Sequence, residues 1–291
     1  MKKRYDIPDI IIEIILGLLA LVCFFPFYQT VIQSFGETAG MQTKIQLIPH
    51  TFNLSAYKYL ISEGKAVRGL FVSLFVTCTG TFVNMFCTSA GAYALSKKQL
   101  PGRNFILNAI IFTMYFSGGL IPLFLTIQKL GLQNNLFVMI LPVAVNTFYL
   151  ILMKNYFGAI PASMEESAKM DGANDITILF RIILPISLPI LAAIALFYAV
   201  DRWNEWWFGM LFLNDTKLYP LQLVLREAIT NISMLFNNSS VGAEIASKTQ
   251  EIYPDSIKSA IIVISAVPIM IVYPSLQKYF SKGIMMGSIK G

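Results

Sequence analysis

The sequence predicts an all-α membrane protein with six transmembrane helices, and three observations lead to that fold class. Of the 291 residues, 56% are hydrophobic and only 13% are charged, against about 25% charged residues in an average soluble domain. A soluble fold of this length has too little interior to hide so much apolar surface. The apolar residues also fall in runs near the roughly 20 residues that one helix needs to cross a hydrocarbon core. Finally, these runs lack the two-residue alternation of barrel strands, and only helices or closed barrels satisfy the backbone in lipid.

Taken in order, the expected spans lie at about 10–34, 68–95, 104–128, 136–157, 185–213 and 258–280, all in one transmembrane domain, 1–291. The first follows Met1-Lys2-Lys3-Arg4. Its apolar stretch from Ile10 to Phe27 is longer than a usual signal-peptide core, and no small-x-small cleavage pattern follows, so it reads as a retained helix. An even number of spans puts both termini on one side. On that side fall Lys2, Lys3 and Arg4, then Lys97, Lys98 and Arg103, then Lys154, Lys169 and Arg181, and finally Lys278, Lys282 and Lys290, just over half of the 22 Lys and Arg residues. The long loops at about 35–67 and 214–257 count for little in the positive-inside rule, so both termini are expected in the cytoplasm with those loops outside. The net charge of +6 then belongs to cytoplasmic loops; no nucleic-acid-binding motif accompanies it.

Within the spans, Pro26, Pro122, Pro142, Pro189, Pro268 and Pro274 either reflect the tolerance of bilayer helices for proline or kink the helices that shape a pathway. The small residues of Ser89-Ala90-Gly91-Ala92 and Ser117-Gly118-Gly119 are expected to let helix backbones approach closely. Cys23, Cys78 and Cys87 lie in apolar runs and read as small core residues rather than a disulfide framework or metal site. In the loop at about 214–257, Leu221, Val224, Leu225, Ala228 and Ile229 follow helical spacing. That pattern fits an amphipathic helix lying on the membrane or bundle, or a contact surface for an extracytoplasmic partner.

The most informative stretch is Pro161–Pro189, within and just beyond the loop at about 158–184. Ser163 followed three residues later by Glu166 has the form of a capping box that starts a short helix. Gly172 suits the left-handed position that stops it. Asn174 or Asp175 can then cap a second helix, expected to end before Pro185. Ala168 and Gly172 are four apart and are expected to share a face of small residues, ringed by Glu165, Glu166 and Asp171, that could enter a cleft of another protein.

Glu166-Ser167-Ala168-x-x-Asp171-Gly172-Ala173, followed by Ile182-x-Leu184-Pro185, resembles the EAA loop of ABC importer permeases. Asp before Gly, Ala after it, and the second proline at Pro189 resemble the carbohydrate-uptake group, and within it the smaller permease subunit of oligosaccharide importers. Ile48-Pro49…Phe52…Tyr57, Ala92-Tyr93-Ala94-Leu95, Ser117-Gly118-Gly119-Leu120-Ile121-Pro122, Trp203-Asn204, Pro220-Leu221-Gln222 and the tail Gly283-Ile284-Met285-Met286-Gly287 agree with that group. The resemblance covers nearly the whole chain; Ser167 departs from it, standing where the pattern prefers Ala.

The resemblance implies a type I, maltose-importer-like permease fold in a bacterial cell membrane. It implies a second related permease, an ATPase dimer and an extracytoplasmic solute-binding protein as partners, and an oligosaccharide, for which uronate-containing chains are candidates, as cargo. Glu166, Ser167, Ala168, Asp171, Gly172, Ala173, Leu184 and Pro185 would then couple to the ATPase. The tail Gly283–Gly291 would reach the ATPase dimer, and the 214–257 loop would meet the binding protein.

Absent motifs narrow the function further. There is no G-x-x-x-x-G-K-[ST] phosphate cradle, and Gly64-Lys65 lacks both the earlier glycine and the hydroxyl residue, so no enzyme activity and no ATP or Mg binding is expected of this chain itself. His50, the one histidine, excludes His-paired metal sites and argues against a Ser-His-Asp hydrolase. The charged stretch Asp201-Arg202-Trp203-Asn204-Glu205-Trp206-Trp207 lies within or near the end of the fifth span, where ionisable groups face a cavity or each other. Either Arg202 pairs with Asp201 or Glu205 to steady the bundle, or Trp203, Asn204, Glu205 and Trp206 line a sugar path through ring stacking and hydroxyl contacts. Asn146 and Tyr149 in the fourth span are further path candidates, or simply bond between helices. An ion-coupled secondary transporter is the alternative. It would need buried carboxylates or broken inverted-repeat helices, and only Glu13, Asp201 and Glu205 lie within spans.

Overall fold

A computed structural model describes residues 7–36, 52–237 and 256–271, and all regular structure among them is helical. His50, Ile48-Pro49, the end of the sixth expected span with Pro274, and the tail Gly283–Gly291 lie outside the described residues. Two helices are long and apolar enough to cross a membrane, α1 (Ile7–Ser34) and α3 (Lys65–Ser96), with the short α2 (Ser55–Glu63) between them. Three of the other expected spans are broken rather than straight. Helices α4 (Arg103–Tyr115) and α5 (Leu120–Lys129) meet at 116°. Two 3-10 turns, Leu136–Met139 and Leu141–Val143, meet α6 (Thr147–Gly158) at 50°. Counting each bent pair as one span gives up to five by length and composition, beside the shorter apolar helix at Ser256–Ile271.

Three of the prolines sit at these breaks. Pro122 lies in the first turn of α5, Pro142 in the second 3-10 turn, and Pro189 at the second residue of α10 (Leu188–Trp203). Each lacks the N–H that a continuous helix would use, and a first turn is where that loss costs least. Pro26 instead stays inside unbroken α1. The Ser117-Gly118-Gly119 stretch is the α4–α5 hinge and not a packing patch. Gly119 has φ 86° and ψ 177°, and a Cβ there would meet nothing within 4 Å, so the glycine serves backbone conformation rather than close approach. Ser89–Ala92 does pack as expected: Ala92 is buried, and a Cβ on Gly91 would come within 3.2 Å of Leu150 on α6. Cys23 and Cys78 are exposed and Cys87 is half-buried, none in the core. In a bilayer the outward surface is as apolar as the core, so an apolar run does not say which way a small residue points.

The described residues form two units. In the first, which takes in described residues 7–36, 52–67, 224–237 and 256–267, Ala56, Leu60, Ala66, Ala260 and Ile261 make the core, against which Leu225 and Ala228 pack. These last two lie on α12 (Leu221–Asn237), the amphipathic helix expected from the spacing. The hydroxyl of Tyr57 donates to Ser34 (2.8 Å) and that of Ser256 to the carbonyl of Gly36 (2.6 Å). In the second unit, which takes in described residues 68–223 and 268–271, one core joins α3, α6 and α10 through Ala92, Tyr93, Leu150, Met153, Ile194 and Tyr198. Another joins α3, the 3-10 turns and α11 (Trp207–Phe212) through Val76, Val138, Met139, Ile140 and Phe212.

Candidate functional site

The loop after α6 folds as helix, glycine turn, helix. Helix α7 (Ala162–Met170) begins on Pro161, whose extended backbone (φ −57°, ψ 128°) serves as its N-cap with no side-chain cap bond. Ser163 is therefore already inside the first turn, and the capping box expected of Ser163 and Glu166 is not formed. The C-terminal turn is as expected. Gly172 has φ 81°, its N–H donates to the carbonyl of Lys169 (3.0 Å), and the N–H of Ala173 donates to the carbonyl of Ala168 (2.9 Å). This pair of bonds is a Schellman turn, which satisfies carbonyls that the helix end would leave open.

Asn174 then caps the next helix, its side chain accepting from the N–H of Thr177 at 2.8 Å. That helix, expected to end before Pro185, runs through it: α8 (Asp175–Ile178), a π turn (Leu179–Ile183) and α9 (Leu184–Ile186) form one continuous piece. In the π turn the N–H of Leu184 reaches the carbonyl of Leu179. The ladder is thus shifted one residue immediately before the proline, which has no N–H to place. The break comes at Ser187, where the chain turns by 88° into α10.

Side-chain directions in this segment differ from the expectation. Ala168 is 9% exposed and packs into the core formed by Tyr93, Leu150, Phe157 and Ile178. Gly172 stands beyond the helix end, so the two do not make a common outward face. The outward face consists of Ser163, Glu166, Ser167 and Met170, at helical spacing, with Met170 88% exposed. Asp171 and Gly172 are also exposed, whereas Ala173 and Leu184 pack against the core and Pro185 is exposed. Lys97 forms an ion pair with Glu165, and Lys169 with Asp175 at 3.2 Å. The hydrogen bond from Lys169 to Asp175 holds that ammonium above its ordinary pKa.

The charged stretch on α10 divides into an inward and an outward set. Arg202 and Glu205 are buried, at 7% and 9% exposure, and lie 3.9 Å apart. Nη1 of Arg202 donates to the carbonyl of Met139 (2.6 Å), while Oε1 of Glu205 accepts from the N–H of Phe208 (2.9 Å) at the start of α11. Trp203 is 5% exposed. These three therefore steady the bundle, and of the charge pairings expected, Arg202–Glu205 is the one formed. Half-buried Trp206 meets Trp207 edge to face at 5.5 Å.

The outward set is Phe197, Asp201 and Asn204, at i, i+4 and i+7 and all exposed. Tyr149 of α6 joins it, its ring stacked on Phe197 (5.6 Å) and its hydroxyl donating to Asp201 (3.1 Å). The amide of Gln222 donates to Asn204 at 3.4 Å. Asn146 is exposed and caps α6, its side chain accepting from the N–H groups of Phe148 and Tyr149. The result is a stripe of aromatic faces, one carboxylate and two amides, chemistry suited to sugar rings and hydroxyls. Of the six path candidates, Asn146, Tyr149 and Asn204 lie on or beside this stripe, whereas Trp203, Glu205 and Trp206 are engaged in packing.

Three residues at the site were not foreseen from the sequence. Asp201 belongs to the stripe and not to an Arg202 pair. Tyr198 fastens three elements, its hydroxyl lying 2.7 Å from that of Thr88 and accepting from the N–H of Asn146 at 3.0 Å. Gln222 completes the amide pair. Asp201 stood out in the sequence as a charge within the span, and its helical spacing from Phe197 and Asn204 is what points to the stripe; Thr88 and Tyr198 lie 110 positions apart, and nothing local connects them.

With this geometry in hand, three comparisons agree. The model of the family described as "Binding-protein-dependent transport system inner membrane component" matches residues 88–286. The "Polygalacturonan/rhamnogalacturonan transport system permease protein YtcP" of Bacillus subtilis (strain 168) is 44% identical over 100% of both chains. "Protein LplC" of the same organism is 42% identical over 99% of this chain and 96% of its own. A chain from the crystal structure of a bacterial ABC transporter involved in the import of the acidic polysaccharide alginate superposes with a TM-score of 0.86 at 35% identity, covering 96% of this chain and 100% of that one. The protein therefore belongs to the family of binding-protein-dependent transport system inner membrane components and has the helical fold of an ABC importer permease.

Proposed function

We propose that this chain is one permease subunit of an ABC importer that brings an oligosaccharide into the cell, with α7 as the segment an ATPase subunit grips. The observation that carries this reading is the outward face of α7, closed by the Gly172 turn: a short helix with a bare methionine and acidic neighbours, fastened to the bundle on its other side. The names of the permease relatives and of the alginate importer support a carbohydrate cargo, with uronate-containing oligosaccharides among the candidates. Family membership gives no support to ion-coupled secondary transport.

In this proposal six spans cross a bacterial cell membrane: α1, α3, the three bent pairs and the helix beginning at Ser256, with both termini and α7 in the cytoplasm. A second permease, an ATPase dimer and an extracytoplasmic binding protein complete the complex, and ATP and Mg are bound by the ATPase. ATP binding closes that dimer, α7 moves with it, and the bundle turns from inward to outward opening. Such a cycle requires that ATP and sugar favour different conformations by a real difference in affinity. The stripe of Tyr149, Phe197, Asp201, Asn204 and Gln222 is the part of the path contributed by this chain.

The test is a complex purified from native membranes through a tag on this chain, its bound sugar identified by mass spectrometry and the complex reconstituted in liposomes. Uptake should follow ATP supplied on the ATPase side with no ion gradient. In a variant lacking Cys23, Cys78 and Cys87, Lys169→Cys should resist membrane-impermeant thiol reagents applied from outside the cell. External labelling at that position would end the proposal.

A further inference from the structure

We propose that the Lys97–Glu165 ion pair is the strut through which motion of α7 reaches the helix bundle, with both residues acting as positioning residues. This rests on the reading of α7 as the segment gripped by the ATPase. The helix is nine residues long, and its one buried side chain is Ala168. A helix that short is marginal on its own, and a single methyl group buries little apolar area. Packing alone therefore holds α7 weakly, and force reaches the bundle through its polar ties and through the chain at its two ends.

Two such ties exist among the described residues. Lys169–Asp175 leaves its side chains 51% and 64% exposed, where water and salt screen a pair of charges. It also leads only across the Gly172 turn, into a helix that bends by 88° at Ser187. Lys97–Glu165 is different on both counts. Its side chains are 24% and 21% exposed, and it links α7 to the end of α3, 68 positions earlier in the chain. Lys97 follows the last residue of α3 directly, and its ammonium lies 4.0 Å from the centroid of the Tyr93 ring. Tyr93 belongs to the same core as Ala168. Because α3 is one unbroken apolar helix of 32 residues, a displacement at its end is carried along it, whereas the route through Gly172 and Ser187 has two pivots and the route back to α6 runs through the non-helical residues 159–161. The stiff path from α7 into the bundle is therefore Glu165, Lys97, α3.

The experiment measures ATP hydrolysed per sugar imported by the reconstituted complex. Lys97→Met and Glu165→Gln should each raise that ratio about tenfold, within the usual range of coupling between sites. Lys97→Arg, which keeps the charge, and the swapped pair Lys97→Glu with Glu165→Lys should return it to within about twofold. A wild-type ratio in both single variants, or a swap as uncoupled as the singles, overturns the strut. Docking is read separately, by a thiol cross-link from Met170→Cys to the ATPase subunit. Its absence in an otherwise wild-type complex refutes the reading of α7 itself. Its persistence in Lys97→Met, together with a raised ratio, supports a strut that acts after docking.

Discussion

Gly80 and Gly91 lie on the same helix, and the same substitution at the two positions should have opposite outcomes. Replacing either with Ala in the middle of α3 gains about 1 kcal/mol of helix propensity. At Gly91 the new Cβ would sit 3.2 Å from Cδ1 of Leu150, the end of a flexible side chain that can shift by a few tenths of an ångström. Gly91→Ala should therefore be neutral or stabilising. At Gly80 the new Cβ would lie 2.9 Å from Cδ and 3.0 Å from Cγ of Arg202. That stem cannot swing away, because its guanidinium donates to the carbonyl of Met139 at 2.6 Å and is 3.9 Å from Glu205. Overpacking of this kind costs about 1–3 kcal/mol, and a lost hydrogen bond from a buried charged group adds about 1.5–3 kcal/mol. After the propensity gain, Gly80→Ala should destabilise by about 1.5–5 kcal/mol, or a fall of about 3–20 °C in melting temperature. Thermal unfolding of the detergent-purified complex, followed by size-exclusion chromatography, checks both variants side by side. If Gly80→Ala melts at or above the wild-type temperature, or Gly91→Ala falls as far, the Arg202 anchor does not have the rigidity assigned to it.

Gly172→Leu should uncouple ATP hydrolysis from uptake. Since a Cβ there meets nothing within 4 Å, its cost to folding is the left-handed backbone alone, about 1–2 kcal/mol; wild-type coupling in a folded Gly172→Leu complex would count heavily against docking. Tyr149→Phe keeps the ring stacked on Phe197 but removes the bond to Asp201, so uptake should fall several-fold with little change in melting temperature, and unchanged uptake would return the stripe to a structural role. Trp203→Ala should lose folded complex rather than uptake alone, because emptying a site only 5% exposed costs about 3–5 kcal/mol; a normal yield on size exclusion with reduced uptake would restore Trp203 to the path.

What could be read from the chain alone divides along a physical line. The turn at Gly172 and the cap at Asn174 depend on a few consecutive residues, and local rules found both. The start of α7 was misread although it is also local. Ser163 and Glu166 have capping-box spacing, but Pro161 already has the extended backbone of an N-cap residue, so the helix begins one residue before Ser163. The prolines were legible as possible kinks. Which of them break a helix was not, because Pro26 and Pro122 look alike until a glycine hinge beside Pro122 supplies the break.

Direction was the harder problem, and the bilayer explains why. In water an apolar residue on a helix points to the core, so periodicity assigns faces. In lipid both the core and the outer surface are apolar, and composition separates them poorly. Cys23, expected inside, lies exposed on α1. Ala168 fails the same test from the other side: a small residue on a helix suits a partner's cleft and its own chain's core equally, and it packs against Tyr93 and Ile178. Polar residues escape this ambiguity, because at membrane depth each must face a partner or a cavity. Arg202 and Glu205 turn inward, Arg202 to the Met139 carbonyl and the two to each other, which leaves Asp201, one residue before Arg202 and roughly 100° round the helix from it, to face outward with Tyr149. The stripe on α10 therefore follows from the buried pair: satisfying two charges inside the bundle commits the neighbouring carboxylate to the exposed side, where only a ligand or water can complete its hydrogen bonds.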